Sequence, residues 1–433
     1  MNKNILHLAI PNIISNITVP LLGLVDLALM GHMNSEIYIG AIALGSIIFN
    51  FLYWGFGFLR MGTSGFTAQA YGEKNETELI AILFRALLVA SVAGLFMLVL
   101  QSPISWASFK IIGGSKEVEL LADQYFRIRI WAAPAALSLF VFNGWFLGMQ
   151  NARYPMTIAI LVNVINIILS VFFVFVLKMK SDGVALGTAL SQYVGLITAL
   201  LLFSKRYKSL LQFVSRKRIF NLQLMVRFFK VNSDIFIRTF CIIAVHTFFT
   251  SKSAGINDII LAVNSLLLQF LLFFSFFIDG FAYAGEALIG KYIGARSLSE
   301  VKQVVRWLFY WGAGLAVLFT FIYLPGVRLL LKLLTSQKDV LEAALPYLPW
   351  VVIVPLSSFA SFIWDGVYIG ATASKAMRNT LLASTFFVFA PVYYFFNPVL
   401  GNHALWLGMI MFSLARGTIQ TFLYKPAILN LLK

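Results

Sequence analysis

The stretch LAIPNIISNITVPLLGLVDLALM, residues 8–30, contains a single charged residue, Asp26, in an otherwise apolar run. A helix of roughly 20 apolar residues crosses a bilayer, so this stretch is long enough to span one. A carboxylate at membrane depth costs on the order of 2.5–3.5 kcal/mol on insertion scales, and such residues often carry a proton or an ion. We therefore predict that Asp26 is functional. The alternative is a carboxyl group that is hydrogen-bonded inside a helix bundle for packing alone.

The whole chain has the composition of an integral membrane protein. Its 433 residues are 60% hydrophobic and only 12% charged, whereas soluble proteins have roughly 25% charged residues. Apolar runs recur from end to end, and no hydrophilic stretch is large enough for a separate soluble domain. The first run is too long for a cleavable signal peptide, and no small-residue cleavage pattern follows it.

The net charge of +16 is explained by membrane topology, because cytoplasmic loops of membrane proteins are rich in Lys and Arg. We therefore expect a lipid bilayer and no nucleic acid as partner. The densest basic cluster lies in one loop, 204–221, and consists of Lys205, Arg206, Lys208, Arg216, Lys217 and Arg218. This loop is predicted to be cytoplasmic.

Hydropathy and sequence breaks predict an all-α integral membrane fold of about twelve transmembrane helices. An even number of spans places both termini on one side, which the basic loop identifies as the cytoplasm. The predicted spans cover residues 6–30, 38–70, 79–101, 119–148, 155–177, 183–203, 224–250, 258–290, 301–324, 342–370, 379–397 and 403–424.

The two halves of the chain repeat one pattern. GFTAQAYGEKN (65–75) resembles ALIGKYIGARS (287–297), and NGWFLG (143–148) resembles DGVYIG (365–370), both at an offset of 222 residues. Six spans per half give both repeats the same orientation, as in transporters whose halves are related by a pseudo-two-fold axis along the membrane normal. The predicted domains are a six-helix bundle at 1–203, a cytoplasmic linker at 204–221 and a six-helix bundle at 222–433, with the substrate site in the cleft between the bundles.

Uncharged polar residues at membrane depth accompany Asp26 in the first half: Asn16, Asn163, Asn166 and Thr188. An asparagine can donate to an ionised carboxylate and accept from a protonated one, so it suits an acid that titrates. A bound cation and a bound proton would compete for the same carboxylate, and binding of one would expel the other. The alternative for each polar residue is an ordinary hydrogen bond between helices.

The second half has acids of its own, but its residue equivalent to Asp26, at the 222-residue offset, is Phe248. We therefore predict that coupling is asymmetric and belongs to the first bundle. Asp279, Glu286 and Asp365 form a weaker candidate set, either for substrate or as structural ion pairs, with Arg238 of the preceding span as a partner for Asp279 and Glu286. An Asp234–Arg238 pair at i,i+4 is also possible.

Metal and cofactor chemistry is not expected. Cys241 is the only cysteine and the four histidines are scattered, so neither a disulfide within the chain nor a metal cluster is predicted. A membrane enzyme would need a clustered constellation of His, Cys or acids, and the sequence contains none; we predict a protein that is not an enzyme.

The segments SNITVPLLGLVDLALMGH, FLRMGTSGFTAQAYGEKN, DGFAYAGEALIGKYIGAR and LGNHALWLG resemble the multidrug and toxic compound extrusion (MATE) family, most closely its DNA-damage-inducible protein F (DinF) branch. The resemblance covers essentially the whole chain. It implies two six-helix bundles that export cationic or lipophilic small molecules against a proton or sodium gradient. It also implies that Asp26 is the coupling acid, with Asn163, Asn166 and Thr188 as polar groups of the same site. The resemblance further implies a multi-pass protein of the inner (plasma) membrane of a bacterial cell, and we expect a monomer.

One departure from the family pattern bears on the coupling ion. The family often has an acid where this chain has Ser170, and other branches have a seventh-span glutamate that is missing here. A cation site with one carboxylate offers less negative charge, so the sequence favours H+ over Na+. A lipid or lipid-linked oligosaccharide flippase of the same superfamily remains the alternative function.

Overall fold

In a computed structural model of the chain, the described backbone covers residues 1–31, 36–113 and 115–432, and all of its regular structure is helical. The side chains described are those of the same ranges without residues 19, 21–22, 24–31, 36 and 431. The predicted coupling residue Asp26 therefore lies outside the described side chains, and only its backbone position within the first helix is known.

The first half of the described chain contains ten α-helices, three of which are followed by short 3-10 or π segments at Ile130–Ala132, Phe172–Val176 and Lys208–Phe213. The α-helices are α1 (Asn2–Gly31), α2 (Glu36–Gly55), α3 (Phe58–Gly72), α4 (Glu76–Val99), α5 (Gln101–Ile112), α6 (Lys116–Arg129), α7 (Ala133–Gly148), α8 (Arg153–Val171), α9 (Ser181–Tyr207) and α10 (Arg216–Ile219).

The second half of the described chain contains eight α-helices, with 3-10 or π segments at Leu345–Tyr347, Ser384–Phe389 and Leu429–Leu432. The α-helices are α11 (Leu222–Ala254), α12 (Asp258–Gly294), α13 (Leu298–Leu334), α14 (Lys338–Ala344), α15 (Leu348–Gly370), α16 (Ser374–Ala383), α17 (Ala390–Leu400) and α18 (Asn402–Ala427).

The transmembrane prediction agrees with the helices. Nine helical segments in the described chain are long and apolar enough to cross a membrane. Three further long helices coincide with the remaining predicted spans: α1, α11 and α18, of 30, 33 and 26 residues. The fold is therefore an all-α integral membrane fold of about twelve spanning helices in two six-helix bundles.

Several predicted spans are less regular than the sequence suggested. The predicted span 38–70 is divided into α2 and α3, and 119–148 is interrupted by the 3-10 turn before α7. Pro134 stands in the first turn of α7, where the lack of a proline N–H costs no helical hydrogen bond. The corresponding turn of the second half, Leu345–Tyr347, is likewise followed by a proline at the start of α15.

The chain forms two compact units, here called the first bundle (Ile14–Phe228) and the second bundle (Met1–Ile13 with Phe229–Lys433). The start of α1 thus packs with the second bundle. There, Trp311 Nε1 donates to Asn2 Oδ1 at 3.4 Å, and Gly280 lies so close to α1 that a Cβ would stand 2.9 Å from the carbonyl oxygen of Ala9. The domain bounds drawn from the sequence stay a prediction.

Each bundle separately contains the same close helix packing, at residues 222 positions apart. A Cβ at Gly144 would lie 2.2 Å from the carbonyl oxygen of Arg60, and one at Gly366 would lie 2.0 Å from that of Ala282. Only glycine allows backbones to approach this closely, as is common where membrane helices pack. The internal repeat predicted from sequence motifs is therefore present in the helix packing.

The turns repeat as well. Lys74 and Arg296 follow α3 and α12 with φ of 56° and 52°, and Gln150 and Thr372 follow α7 and α15 with φ of 60° and 51°. Non-glycine residues adopt this left-handed conformation in only a few per cent of cases. Two such matches at one offset show that the helix ends, and not just the helix lengths, are duplicated.

The predicted linker 204–221 is folded onto the first bundle. Arg85 of α4, only 2% exposed, donates from Nη2 to the carbonyl oxygen of Arg218 at 3.0 Å and from Nε to that of Ile219 at 3.3 Å. Glu78 accepts a hydrogen bond from Arg218 Nε at 2.7 Å and one from Arg85 at 3.3 Å. A buried arginine therefore fixes the end of the linker, through backbone atoms that do not depend on the linker side chains.

Candidate functional site

A buried polar cluster joins α8 and α9 in the first bundle. Asn166 Nδ2 donates to Thr188 Oγ1 at 3.0 Å, and Asn166 Oδ1 accepts from Ser170 Oγ at 3.2 Å. Thr188 Oγ1 donates in turn to the carbonyl oxygen of Val184 at 2.9 Å. All three polar side chains are at most 7% exposed. The structure therefore brings together two of the predicted site residues, Asn166 and Thr188, and adds Ser170.

The cluster forms because α8 and α9 approach closely at Gly187. A Cβ there would lie 2.8 Å from Ser170 Oγ and 3.0 Å from the backbone nitrogen of Ser170. Ser170 is the residue that stands where the family often has an acid. Its hydroxyl is fully buried and donates to Asn166, so this position holds a neutral hydrogen bond.

The other predicted residues of the first bundle are less enclosed. Asn163 lies one helical turn before Asn166 and is half-buried, and its Nδ2 has no acceptor among the described residues. Asn16 is a half-buried residue of α1. Whether either contacts Asp26 stays a prediction, since the Asp26 side chain lies outside the described part of the chain.

A cavity of about 200 Å³ lies inside the first bundle, against the same face of α9. Thr188 belongs to both its wall and the polar cluster. The other polar side chains of the wall are Tyr53, Arg129, Asn143 and Gln192, and the rest are apolar. Polar atoms converging on a mostly apolar cavity are typical of a binding site.

Arg129 is the charged member of this wall, and the sequence analysis did not single it out. It lies at the end of α6, within the predicted span 119–148, so the rule that drew attention to Asp26 applies to it equally. Its Nη1 donates to Tyr125 Oη at 2.6 Å and to Ser46 Oγ at 3.4 Å. These partners are neutral, and no salt bridge joins Arg129 to a carboxylate within the described residues.

The second bundle contains a buried cluster of charged side chains, in which a carboxylate is paired with arginines. Asp365 Oδ2 accepts hydrogen bonds from Nη2 of Arg238 and, at 2.6 Å, from Nη2 of Arg416, while Asp365 Oδ1 accepts from Gln420 Nε2 at 3.3 Å. The side chains of Asp365 and Arg416 are 7% and 6% exposed. Asp365 therefore forms a buried ion pair with two arginines, the arrangement expected under the second of the two alternatives, and a substrate role stays a prediction.

The pairing of Arg238 corrects two expectations. Arg238 was considered as a partner of Asp279 and Glu286 from the neighbouring span, or of Asp234 at i,i+4, but it pairs with Asp365 on α15. The acid one turn earlier, Asp234, instead binds Arg378 Nη1 at 2.6 Å and accepts from Ser374 Oγ at 2.8 Å. Arg238 and Asp234 lie on α11, whereas their partners Asp365 and Arg378 lie on α15 and α16. Spacing along one helix therefore does not predict these pairs.

The two remaining acids lie on α12. Glu286 is fully buried, at the point where Gly370 of α15 packs against its carbonyl oxygen. Asp279 is half-buried and within electrostatic range of Arg416. Asp234, Asp279 and Asp365 of the second bundle thus lie near arginines, in contrast to the neutral cluster of the first bundle.

Phe248, which occupies the position of Asp26 in the second half, lies in an aromatic group. Its ring packs edge-on against Phe389 and Tyr393, with ring centroids 5.6 Å and 5.1 Å apart.

No group of three or more His, Cys, Asp or Glu side chains that could hold a metal ion occurs among the described residues.

Comparisons with known proteins agree with the geometry. A family model described as MatE matches residues 11–172 and 235–395. DNA damage-inducible protein F of Escherichia coli (strain K12) is 38% identical over 419 residues, which cover 96% of this chain and 90% of that protein. A probable multidrug resistance protein NorM of Thermotoga maritima is 24% identical, over 98% of this chain and 92% of that protein.

Solved structures share the fold at low sequence identity. An outward-facing multidrug resistance MATE family transporter superposes with a TM-score of 0.89 and 19% identity, over 100% of this chain and 96% of that one. The Vibrio cholerae MATE transporter VcmN, in its bent form, superposes with a TM-score of 0.86 and 18% identity, over 98% of this chain and 96% of that one.

Proposed function

Because the chain belongs to the MATE family of membrane transporters, we propose that it is a secondary active efflux transporter that exports cationic or lipophilic small molecules in exchange for protons. We propose Asp26 as the residue that carries the coupling proton. The names of its relatives support multidrug transport as the general activity. The basic linker supports an orientation with both termini in the cytoplasm.

The observation that carries this proposal is the buried Asn166–Thr188–Ser170 cluster beside the cavity of the first bundle. All its members are neutral and each hydroxyl or amide can donate or accept. Such a cluster can solvate a carboxyl group in either protonation state without carrying a fixed countercharge. An acid in its vicinity is therefore free to bind a proton or a cation.

The second bundle supports the same assignment by contrast. The Asp365 carboxylate already accepts three hydrogen bonds, two of them from arginines. Two fixed guanidinium groups occupy the place that a sodium ion would need, and they would repel one. Together with Ser170 in the first bundle, this arrangement supports H+ and not Na+ as the coupling ion.

Coupling then follows from competition at one carboxylate. A proton that enters Asp26 removes its negative charge and releases a bound cationic substrate. Loss of the proton on the other side of the membrane restores the charge and the affinity. The exchange needs no change in the paired charges around Asp365.

The test is transport in proteoliposomes with an imposed pH or sodium gradient. Asp26→Asn keeps the shape of the side chain and removes titration, so we expect normal insertion and loss of gradient-driven export. Asp339→Asn is a suitable control, because Asp339 is an exposed residue of α14. Export by Asp26→Asn at the wild-type rate would show that another group carries the proton. Export that requires a sodium gradient at constant pH would exclude proton coupling.

A further inference from the structure

The guanidinium group of Arg129 has an unused edge. It carries five N–H donors, and within the described residues both hydrogen bonds that it makes come from Nη1. Nε is buried and has no acceptor. Nε and Nη2 together form the side of the guanidinium group that binds a carboxylate or phosphate through two parallel hydrogen bonds. The side that recognises a two-oxygen anion thus makes no hydrogen bond within the described residues.

The rest of the side chain is held in place. The guanidinium carbon lies 4.7 Å from the centre of the Phe49 ring and 5.6 Å from that of Tyr125. The Tyr125 ring fits against α2 because residue 45 is glycine, where a Cβ would stand 2.5 Å from the ring. Cation–π contacts and the Tyr125 hydrogen bond therefore orient Arg129 before any ligand arrives, which lowers the entropic cost of binding.

Other polar atoms around the cavity also lack partners. Tyr53 Oη and Asn143 Oδ1 are buried without a hydrogen bond among the described residues, and both side chains line the cavity with Arg129. Buried polar groups in native proteins are nearly always satisfied, and exceptions in a cavity indicate a bound water, ion or ligand. A positive charge within the span makes an anion the complementary occupant.

The cavity size limits what can enter. About 200 Å³ is less than the roughly 300–1,000 Å³ of sites that enclose a drug-sized ligand. One end of a substrate would fit, while the remainder would lie outside.

We propose that this cavity binds the anionic group of the transported compound, with a carboxylate held by Nε and Nη2 of Arg129. The inference rests on the proposed export function and specifies its substrates: lipophilic compounds that carry a carboxylate, zwitterions included. The same edge would bind the phosphate of a lipid headgroup, so the experiment must separate the two sources.

The experiment is equilibrium binding of two dyes to the purified full-length protein. Rhodamine B and its ethyl ester share one aromatic cation and differ only in a free or blocked carboxylate. We expect the wild type to bind rhodamine B about tenfold or more tightly than the ester, as a charge-assisted hydrogen bond would provide. Arg129→Gln should remove this preference, and Arg129→Lys should keep only part of it, because lysine lacks the two-pronged geometry.

Arg127→Gln is the matched control, since Arg127 lies on the same helix but is exposed and paired with Asp123 at 2.7 Å. It should retain the wild-type preference. If Arg129→Gln destabilises the protein, Asn143→Asp provides a second test, because it keeps Arg129 and places a fixed carboxylate in the same cavity wall. This variant should lose the preference for rhodamine B and favour the ester.

Equal binding of both dyes by the wild type, or an unchanged preference in Arg129→Gln, would overturn the proposal and leave the cavity to water. Added phosphatidylglycerol, compared with phosphatidylcholine, identifies the source of the anion. If phosphatidylglycerol competes with rhodamine B for the wild type but not for Arg129→Gln, the anion bound by Arg129 is a lipid headgroup phosphate. If it does not compete, the bound anion is the carboxylate of the substrate. Because binding is measured without a gradient, the result is independent of whether proton-driven export is observed.

Discussion

Asn143 and Asp365 occupy equivalent places in the two bundles, each one residue before the glycine that packs against the backbone of a neighbouring helix. Asn143 faces a cavity, whereas Asp365 is bound by two arginines. The same offset relates Asn16 to Arg238, which pairs with Asp365. These two duplicated positions are thus uncharged in the first bundle and form an ion pair in the second, which makes the two bundles chemically unequal.

Asp365→Asn should destabilise the second bundle. Removing the carboxylate leaves Arg238 and Arg416 as buried like charges, and breaking a buried ion pair typically costs about 3–5 kcal/mol. We expect a clearly lower thermal unfolding temperature in detergent. Asp339→Asn should leave that temperature unchanged. A stable Asp365→Asn protein that has lost only transport would instead assign this carboxylate to coupling.

Thr188→Val tests the polar cluster of the first bundle against a matched site. Thr188 and Thr157 both donate to a carbonyl oxygen four residues earlier, each at 2.9 Å, but only Thr188 also accepts from Asn166. Thr188→Val leaves the buried amide without an acceptor, at a cost of about 1–3 kcal/mol, and should lower proton-coupled transport. The exposed Thr157→Val should be close to neutral in both stability and transport. Equal effects of the two substitutions would show that the cluster has no special role.

Gly144→Ala should prevent correct folding of the first bundle, because its Cβ would lie 2.2 Å from the carbonyl oxygen of Arg60. Gly314→Ala is the control: no atom lies within 4 Å of its Cβ position, in the middle of α13. The control should be neutral or stabilising by about 0.4–1 kcal/mol, since alanine reduces the entropy of the unfolded chain. The yield of monodisperse protein after detergent extraction measures both effects, and a well-folded Gly144→Ala protein would contradict the packing.

Arg85→Met should release the linker from the first bundle. Its backbone acceptors at residues 218 and 219 would lose their donor, so amide exchange and tryptic cleavage near 216–218 should increase at least several-fold. Lys208→Met removes an exposed linker charge and should leave both rates unchanged.

Substitution of the linker's basic residues in pairs should alter expression or topology more than substrate affinity. A large loss of affinity with normal expression would argue that the linker takes part in binding.

Exchange of one proton for one monovalent cation should be electroneutral. A membrane potential would then add nothing, although it is worth about 2.3 kcal/mol per charge at 100 mV, and a pH difference would provide roughly 1.4 kcal/mol per unit. Liposomes with a potassium–valinomycin potential and equal pH test this. Strong uphill transport of a monovalent cation under the potential alone would require a second titrating group, with Asp279 or Asp365 as candidates.

The sequence predicted the parts of this protein that depend on composition and spacing. The length of the apolar runs predicted the spanning helices. The constant 222-residue offset predicted an internal repeat, and the backbone shows this repeat in the left-handed turns at Gln150 and Thr372. Asn166 and Thr188, two of the predicted site residues, lie in neighbouring spans and share a hydrogen bond, while their role in a site with Asp26 stays a prediction.

Pairings between distant helices could not be predicted in the same way. Asp365 and its partners Arg238 and Arg416 are 127 and 51 residues apart in the chain, so their contacts depend on packing that no local pattern encodes. Arg129 had a visible signal, an arginine inside a predicted span, whereas the predicted candidates of that bundle were an acid and neutral polar residues. Its significance depends on its lack of a salt bridge among the described residues, which only coordinates reveal.

The division of the chain at Ile13–Ile14 and Phe228–Phe229 falls inside α1 and α11 and not in loops. If the polypeptide were cut in the linker between Phe213 and Arg216, each fragment would therefore contain a segment that belongs to the other bundle. The first would carry residues 1–13, which complete the second bundle, and the other would carry residues 216–228, which complete the first. A chimaera that exchanges bundles between relatives should therefore move residues 1–13 with the second bundle and residues 216–228 with the first.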